Sequence, residues 1–183
     1  ASVELVRTHP DSAYEVAQLQ YEFALQIGDI NYQASALSIQ GNALRLEGNP
    51  SRAVQLFFQS NNLYEQSDDQ AGIADNYHLI GGVYFEQKNN DKAVEFMEKS
   101  LDIRIEIGDE FKIARSYNSL GYLQDELGNY EKALEYHSKC LDIRIRIEDR
   151  QGESWCYNNM ARVCMHQKEF EAAEEYYLKS IAI

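Results

Sequence analysis

Two pairs of His and Cys residues come closest to a metal site in type and spacing. His137 and Cys140 are three residues apart. On a helix they would share a face, and an imidazole and a thiolate are both ligands of zinc. Cys164 and His166 are two residues apart and would diverge on a helix. Because two ligands do not make a site, we expect neither a metal nor another cofactor.

The sequence carries no catalytic signature. Its carboxylates are scattered at spacings typical of solvated helix faces, and no Gly-rich phosphate loop is present, because each Gly-Asn pair interrupts a helical pattern. Tyr occurs 13 times, mostly in or beside positions that recur along the chain, which favours packing over a cofactor site. We therefore expect a protein that is not an enzyme, with any catalytic domain outside these residues.

Charge and hydropathy exclude several classes of partner. The formal net charge of -13 argues against nucleic acid, which needs a basic face, and against an anionic membrane surface. No apolar run approaches the ~20 residues that cross a membrane, and no signal-peptide pattern opens the chain. Of the three cysteines, Cys156 and Cys164 would lie about 12 Å apart along a helix, too far to bridge. Reduced thiols and a cytoplasmic location are expected.

The strongest pattern is a period of about 40 residues, a length typical of helical repeat proteins. The segment "LGNYEKALEY" (127–136) has relatives at 47–56, 87–96 and 167–176. Four aligned columns hold small or identical residues without an insertion: Ala53, Ala93, Ala133 and Ala173; Gly41, Gly81, Gly121 and Ala161; Ser60, Ser100, Cys140 and Ser180; and Asp29, Asp69, Asp109 and Asp149.

The columns have physical meanings. The aspartates precede helical patterns, where a carboxylate can cap free backbone N–H groups. Asn49, Asn89 and Asn129 are capping residue types before the second helix, and Pro50 suits its first position. Gly inside a helix costs up to about 1 kcal/mol relative to Ala, so a recurring helical Gly predicts close packing between helices.

Each period therefore predicts two antiparallel helices, A and B. The predicted A helices span 30–46, 70–87, 110–127 and 150–167. The predicted B helices span 11–27, 50–66, 90–106, 130–147 and 170–183. Residues 2–7 fall in register with 42–47 and are expected to end an earlier A helix.

These columns resemble the tetratricopeptide repeat, whose consensus runs aromatic, Leu-Gly, aromatic, Ala, aromatic, small. The best matches are Tyr77, Ile80, Gly81, Tyr84, Ala93 and Ser100. The departures are Leu37, Gln124, His137, Ala161 and Cys164. The resemblance covers almost the whole chain and implies an all-α fold, a right-handed α-solenoid of antiparallel helix pairs.

The family usually repeats every ~34 residues, and each period of this chain is about six residues longer, as in "DIRIEIGD" (102–109). Arrays of such longer repeats are similar to Pins-type polarity scaffolds, Rap-type bacterial regulators and the sensory segments of bacterial signalling proteins. We expect one array over 1–183, made of a partial repeat and four repeats: 1–29, 30–69, 70–109, 110–149 and 150–183. The start in mid-pattern leads us to expect a segment of a longer protein.

The resemblance also implies a binding face, because A helices line the concave surface of tetratricopeptide arrays. Opposite the packing stripe, the third and fourth A helices carry amides for a peptide backbone, guanidinium groups for a carboxylate and aromatic anchors. The predicted binding residues are Arg115, Asn118, Tyr122, Trp155, Asn158, Asn159 and Arg162. The same face includes Asp125, whereas B-helix residues such as Arg104 are expected on the outer side.

These expectations favour a protein- or peptide-binding scaffold, the regulatory or sensory segment of a larger bacterial signalling protein. Two alternatives stay open: a structural array without a dedicated ligand, and a Rap-type regulator that a small peptide switches. In the final helix, Tyr177, Leu178 and Ile181 have no following helix to cover them, which predicts weak end-to-end self-association.

Overall fold

The computed structural model describes residues 10–183, and within that range the chain forms nine α-helices and no strand. They are α1 (Pro10–Ile27), α2 (Ile30–Leu46), α3 (Pro50–Gln66), α4 (Gln70–Glu86), α5 (Asn90–Ile107), α6 (Glu110–Glu126), α7 (Tyr130–Arg146), α8 (Arg150–Gln167) and α9 (Phe170–Ile181). The predicted boundaries are confirmed to within two residues. The helix tail predicted over 2–7 lies outside the described residues.

The helices group into two compact units, one that runs to Ile103 and one that begins at Arg104. The first unit contains α1–α4 and most of α5, and the second contains the end of α5 and α6–α9. Inside each unit, helices that follow one another in the sequence pack side by side, such as α2 against α1 and α3, or α6 against α7. The predicted class, an all-α array of antiparallel helix pairs, is confirmed.

Each turn between these helices contains one residue with a left-handed backbone, and these residues recur at a constant spacing, twice in each repeat. They are Gly28, Gly48, Asp68, Lys88, Gly108, Gly128, Glu148 and Lys168. The following N–H closes the helix by donating to a carbonyl five residues back, as Asn49 N does to Leu44 O at 2.8 Å. Each repeat therefore consists of two halves that end in the same kind of turn.

The aspartate caps are confirmed, because each aspartate side chain accepts the N–H of the residue three positions later at 2.9–3.0 Å. Asn49 and Asn129 stand at the N-cap positions of their helices as predicted, but their side chains make no capping bond. The Asn129 amide instead donates to Gln124 Oε1 at 2.8 Å. Asn89 Oδ1 accepts from Lys92 N only at 3.4 Å. An amide can donate as well as accept, so it finds other partners where a carboxylate cannot.

Close packing at the glycine column is confirmed. A Cβ added at Gly41 would lie 2.9 Å from the Phe57 ring, and one added at Gly121 would lie 2.7 Å from the His137 ring. At Gly81 it would lie 2.7 Å from a side-chain atom of Met97 and 3.2 Å from a backbone oxygen. No larger side chain fits these positions without displacing its neighbour.

The serine column does more than keep helices close, and this was not predicted. Ser60 Oγ donates to Ala34 O, and Ser100 Oγ donates to Ala74 O, both at 2.7 Å. Ser180 Oγ makes the equivalent bond to Ser154 O at 3.1 Å. Each of these bonds ties a B helix to a backbone carbonyl of the A helix before it.

His137 occupies the position that Phe57 and Met97 fill in the preceding repeats. Its ring is fully buried, and neither ring nitrogen has a hydrogen-bond partner among residues 10–183. Burial lowers the pKa of His137 from 6.5 to about 4; the positive charge of Arg162 lowers it further, and the negative charge of Asp125 opposes the shift. The side chain therefore acts as a neutral packing group at pH 7.

The same substitution should change the free energy of unfolding in opposite directions at two neighbouring glycines of α4, Gly81 and Gly82. We expect Gly81→Leu to lower the free energy of unfolding by about 1–3 kcal/mol, because the new side chain meets the backbone of α5. Gly82→Leu should raise it by up to about 1 kcal/mol, because no atom lies within 4 Å of the added Cβ and Leu favours the helix. Urea unfolding measures both. Equal effects of the two substitutions would show that the packing register is wrong.

Lowering the pH should destabilise the folded protein, because the buried His137 resists protonation. On acidification the unfolded chain takes up a proton near pH 6.5, but the folded chain does so only near pH 4. The free energy of unfolding should therefore fall by roughly 2 kcal/mol between pH 7 and pH 5 on account of this group. His137→Met, which copies Met97, should remove that part of the pH dependence. Parallel pH profiles of parent and variant would contradict the assignment.

Candidate functional site

A pocket of about 390 Å³ lies between α6, α7 and α8 in the second unit. Its lining residues are Phe111, Arg115, Asn118, Ser119, Cys140, Arg144, Gly152, Trp155 and Cys156. Three of the seven predicted binding residues, Arg115, Asn118 and Trp155, are therefore brought together in one concavity. A larger depression of about 570 Å³ at the start of α7 contains none of the seven.

The mouth of the pocket combines exposed aromatic rings with a cation. Trp155 is 58% exposed and Phe111 is 52% exposed, although both are large apolar side chains. Arg115 lies one helical turn after Phe111 on α6 and is also exposed. Exposed aromatic side chains beside an arginine are the residue types that dominate protein-binding hot spots.

Arg144 forms part of the pocket wall although it is only 5% exposed. Its guanidinium lies 4.4 Å from the centroid of the Phe111 ring and forms an ion pair with Asp149. The other oxygen of Asp149 caps α8 at Gly152 N. A Cβ added at Gly152 would lie 2.5 Å from Arg144 Cδ, so this glycine makes room for the arginine.

Sequence reasoning missed Arg144 and Gly152, although a signal was present. Gly152 stands eight positions after Arg144, and Gly72 stands eight positions after Tyr64, two repeats earlier. A Cβ added at Gly72 would lie 2.6 Å from the Tyr64 ring. In these two repeats, a large residue near the end of a B helix coincides with a glycine in the first turn of the next A helix, whereas Arg104 in the repeat between them is followed by Lys112.

Two free thiols lie against the pocket. Cys140 of α7 and Cys156 of α8 are both buried, and their sulfur atoms are 3.0 Å apart, with Cys156 donating. Cys156 was compared above only with Cys164 on the same helix, whereas the observed contact joins Cys156 of α8 to Cys140 of α7. Cys164, the third free thiol, is buried elsewhere on α8.

The three asparagines of the predicted site form hydrogen bonds with other residues of the chain. Asn159 Nδ2 donates to Asn118 Oδ1 at 2.7 Å and so links α8 to α6. Asn158 Nδ2 donates to Ser154 O at 3.0 Å and to Ser180 Oγ at 2.6 Å, which directs it towards α9. Only Asn118 of the three lines the pocket.

The remaining predicted residues belong to a second cluster around Asp125. Arg162 Nε donates to Asp125 Oδ2 at 3.0 Å, and its guanidinium lies 4.7 Å from the centroid of the Tyr122 ring. His166 Nδ1 lies 2.8 Å from Asp125 Oδ1. The expectation that Asp125 belongs to an exposed face is wrong: its side chain is fully buried, because two partners on α8 satisfy the carboxylate.

The expectation for Arg104 is also wrong. Arg104 is buried, and its Nη1 donates to Ser116 Oγ at 2.6 Å. The long side chain packs against α6 instead of extending into solvent.

Three residues of the two His and Cys pairs are buried in the packing between helices, whereas His166 contacts the Asp125 carboxylate. His137 fills the space below Gly121, and Cys140 contacts Cys156. Among residues 10–183, no three His, Cys, Asp or Glu side chains are grouped as a metal site would require. In the same range, no helix combines the length and the apolar character that crossing a membrane requires.

Solved structures with the same fold come from several kinds of protein. BtubC from P. vanneervenii matches with a TM-score of 0.80 at 16% identity, over 98% of this chain and 78% of BtubC. A signal transduction ATPase with numerous domains from Pyrococcus horikoshii, which has a tetratricopeptide repeat sensor, matches with a TM-score of 0.87 at 21% identity, over 97% of this chain and 27% of that protein.

A Rap protein is among the similar structures as well. The apo form of RapI matches with a TM-score of 0.81 at 18% identity, over 95% of this chain and 48% of RapI. At these identities the likeness concerns the fold alone. No curated protein sequence matches this chain.

The sequence itself matches the profile of a repeat family in three overlapping stretches, 32–106, 72–146 and 112–183. Together these stretches cover residues 32–183, and their starting points are 40 residues apart, the period of the chain. The chain belongs to the tetratricopeptide repeat family.

Proposed function

We propose that the second unit binds an extended segment of a partner protein at the pocket between α6, α7 and α8. The observation that carries the proposal is the exposure of Trp155 and Phe111 beside Arg115 at the mouth of this pocket. Tetratricopeptide repeats are a scaffold class for protein–protein interaction, which agrees with a binding role that needs no catalytic group.

The lining residues suggest the chemistry of the bound segment. An apolar side chain would pack against Trp155 and Phe111, and a carboxylate would pair with Arg115. The oxygen of Asn118 accepts from Asn159, so its Nδ2 is the group that can donate to a carbonyl of the ligand. The bound segment would therefore combine an aromatic or aliphatic residue with an acidic group.

The other predicted residues receive different roles in this proposal. Asn159 and Arg162 support the site, because Asn159 orients Asn118 and Arg162 is engaged by Asp125. Tyr122 and Asn158 are proposed as contacts at the edge of the bound segment, since both keep exposed surface.

We also propose that the chain is the non-enzymatic regulatory or sensory part of a larger bacterial signalling protein that acts in the cytoplasm, with its repeats in one array. The sensor role of the repeats in the Pyrococcus horikoshii protein supports this context by analogy of fold.

Selection from a random peptide library on the immobilised protein should yield ligands that depend on the pocket. We expect Trp155→Ala and Arg115→Ala each to weaken the selected peptides by more than about 1 kcal/mol, or over fivefold in Kd. Both side chains are exposed, so the melting temperature should stay unchanged. Isothermal titration calorimetry gives the affinities.

The matched controls are Phe170→Ala, an exposed aromatic residue on α9, and Lys139→Ala, an exposed cation on α7. Neither lines the pocket, so both should keep the parental affinity. If the selected peptides bind Trp155→Ala as tightly as the parent but lose affinity for the control variants, the site lies elsewhere on the repeats.

Self-association through α9 is a second candidate function. Leu178 is 61% exposed and Ile181 is 82% exposed on this helix, next to the half-exposed Tyr177. A second copy of the chain would remove this apolar surface from water.

Sedimentation equilibrium over a concentration series tests this candidate. The average mass of the parent should rise with concentration, and Leu178→Glu should keep the protein monomeric because it places a charge in the contact. Ile105→Glu, an equivalent change at another exposed apolar residue, should associate like the parent. A parent that stays monomeric at every concentration would rule out self-association.

A further inference from the structure

Cys140 and Cys156 occupy positions that the repeat itself brings into contact. Two repeats earlier, the same positions hold Ser60 and Asn76, and Asn76 Nδ2 donates to Ser60 Oγ at 2.8 Å. The contact between a B helix and the next A helix is therefore a property of the fold. In the second unit this contact joins two thiols, whose sulfur atoms lie 3.0 Å apart.

We propose that Cys140 and Cys156 are a reversible redox site, which a small hydroperoxide oxidises to an intramolecular disulfide. A disulfide needs the sulfur atoms at about 2.05 Å, so they must approach by roughly 1 Å. A zinc ion would need them further apart, at about 3.8 Å for two Zn–S bonds of about 2.3 Å in tetrahedral geometry. The observed distance favours the disulfide over a metal.

The pocket gives the oxidant a route to the thiols. Both cysteines are almost fully buried, but both line the pocket of about 390 Å³. Hydrogen peroxide is hardly larger than water, so it can enter a cavity of this size. This inference is independent of the proposed peptide site, because it requires only the two thiols and access for a small molecule.

The surroundings distinguish the two sulfur atoms. The hydrogen bond from Cys156 lowers the pKa of Cys140 in spite of burial, and the adjacent Arg144 lowers it further. The hydrogen bond with Cys140 and burial both raise the pKa of Cys156. Because the thiolate is the nucleophile, Cys140 attacks first and Cys156 resolves the product.

The reaction balances in two steps. The Cys140 thiolate attacks one peroxide oxygen; the S–O bond forms, the O–O bond breaks, and the departing hydroxide takes up a proton to become water. The Cys156 sulfur then attacks the sulfenic acid at Cys140; the S–S bond forms, the S–O bond breaks, and the hydroxide leaves as water with the Cys156 proton. Sulfur is oxidised and the peroxide is reduced. An added thiol reverses the change by exchange.

Hydrogen peroxide treatment of the reduced chain, followed by alkylation under denaturing conditions, tests the proposal. Before alkylation, we expect the intact mass to fall by about 2 Da for the two lost hydrogens. After alkylation, we expect one alkylated thiol instead of three, and tryptic peptides 140–144 and 151–162 should be linked. Trp155, the single tryptophan, precedes Cys156. Its fluorescence should therefore drop on oxidation and recover with dithiothreitol.

Two variants and one condition make the test specific. Cys140→Ser restores the residue type found at Ser60, Ser100 and Ser180, so it should fold but form no disulfide. Cys164→Ser should form the disulfide as the parent does. In urea the chain is unfolded, so it should form a mixture of disulfides, some of which include Cys164.

For the folded protein without urea, three thiols that stay alkylatable, a disulfide through Cys164, or addition of two oxygen atoms to Cys140 without a linkage would each overturn the proposal. A Cys140→Ser variant that still loses about 2 Da on treatment would overturn it as well. Circular dichroism of the reduced proteins checks that each variant keeps its helices.

Discussion

The close approach of consecutive helices at the glycine column is the constraint on which the other features depend. A helical Gly costs up to about 1 kcal/mol relative to Ala, but it allows a large side chain of the next helix to lie directly on the backbone. Phe57 is fully buried below Gly41 in this way, and burying such a side chain stabilises by about 1.5–3 kcal/mol. The gain exceeds the cost at Gly41, and the regularly spaced left-handed turns bring Gly81 and Gly121 against the next helix in the same way.

The repeat determines which positions of neighbouring helices are in contact. Different residue types at those positions can therefore give the same contact a different chemistry. Ser60 and Asn76 form a hydrogen bond where Cys140 and Cys156 place two thiols. Below the glycines, the buried position is filled by Phe57, Met97 or His137, which differ in polarity although each fills the space. A titratable group and the two adjacent thiols thus occur in the second unit at positions that hold other residue types in the first.

The helices and the aspartate caps could be predicted because they depend on neighbours in the sequence, and the small-residue columns could be predicted because they recur every 40 residues. The positions of long polar side chains could not. A periodic pattern gives the direction of Cβ, but Arg104 bends back to Ser116, and Asp125 finds its partners Arg162 and His166 on a different helix. For the candidate site, the pattern correctly placed Arg115 and Trp155 on exposed surface. It missed Arg144, whose burial requires an ion pair with Asp149 and space above a glycine.

Asp149 connects the stability of the second unit to the candidate site. One of its oxygens caps α8, and the other neutralises Arg144 in the pocket wall. Without this carboxylate, α8 would lose its cap and a buried cation would lose its partner, and the second loss alone is strongly destabilising. The same carboxylate therefore holds both the start of α8 and the arginine of the pocket wall. Arg115 and Trp155 differ from these wall residues, because their exposed side chains can change with little effect on packing. A fixed wall with variable residues at its mouth is the arrangement by which one repeat fold can be adapted to different partners.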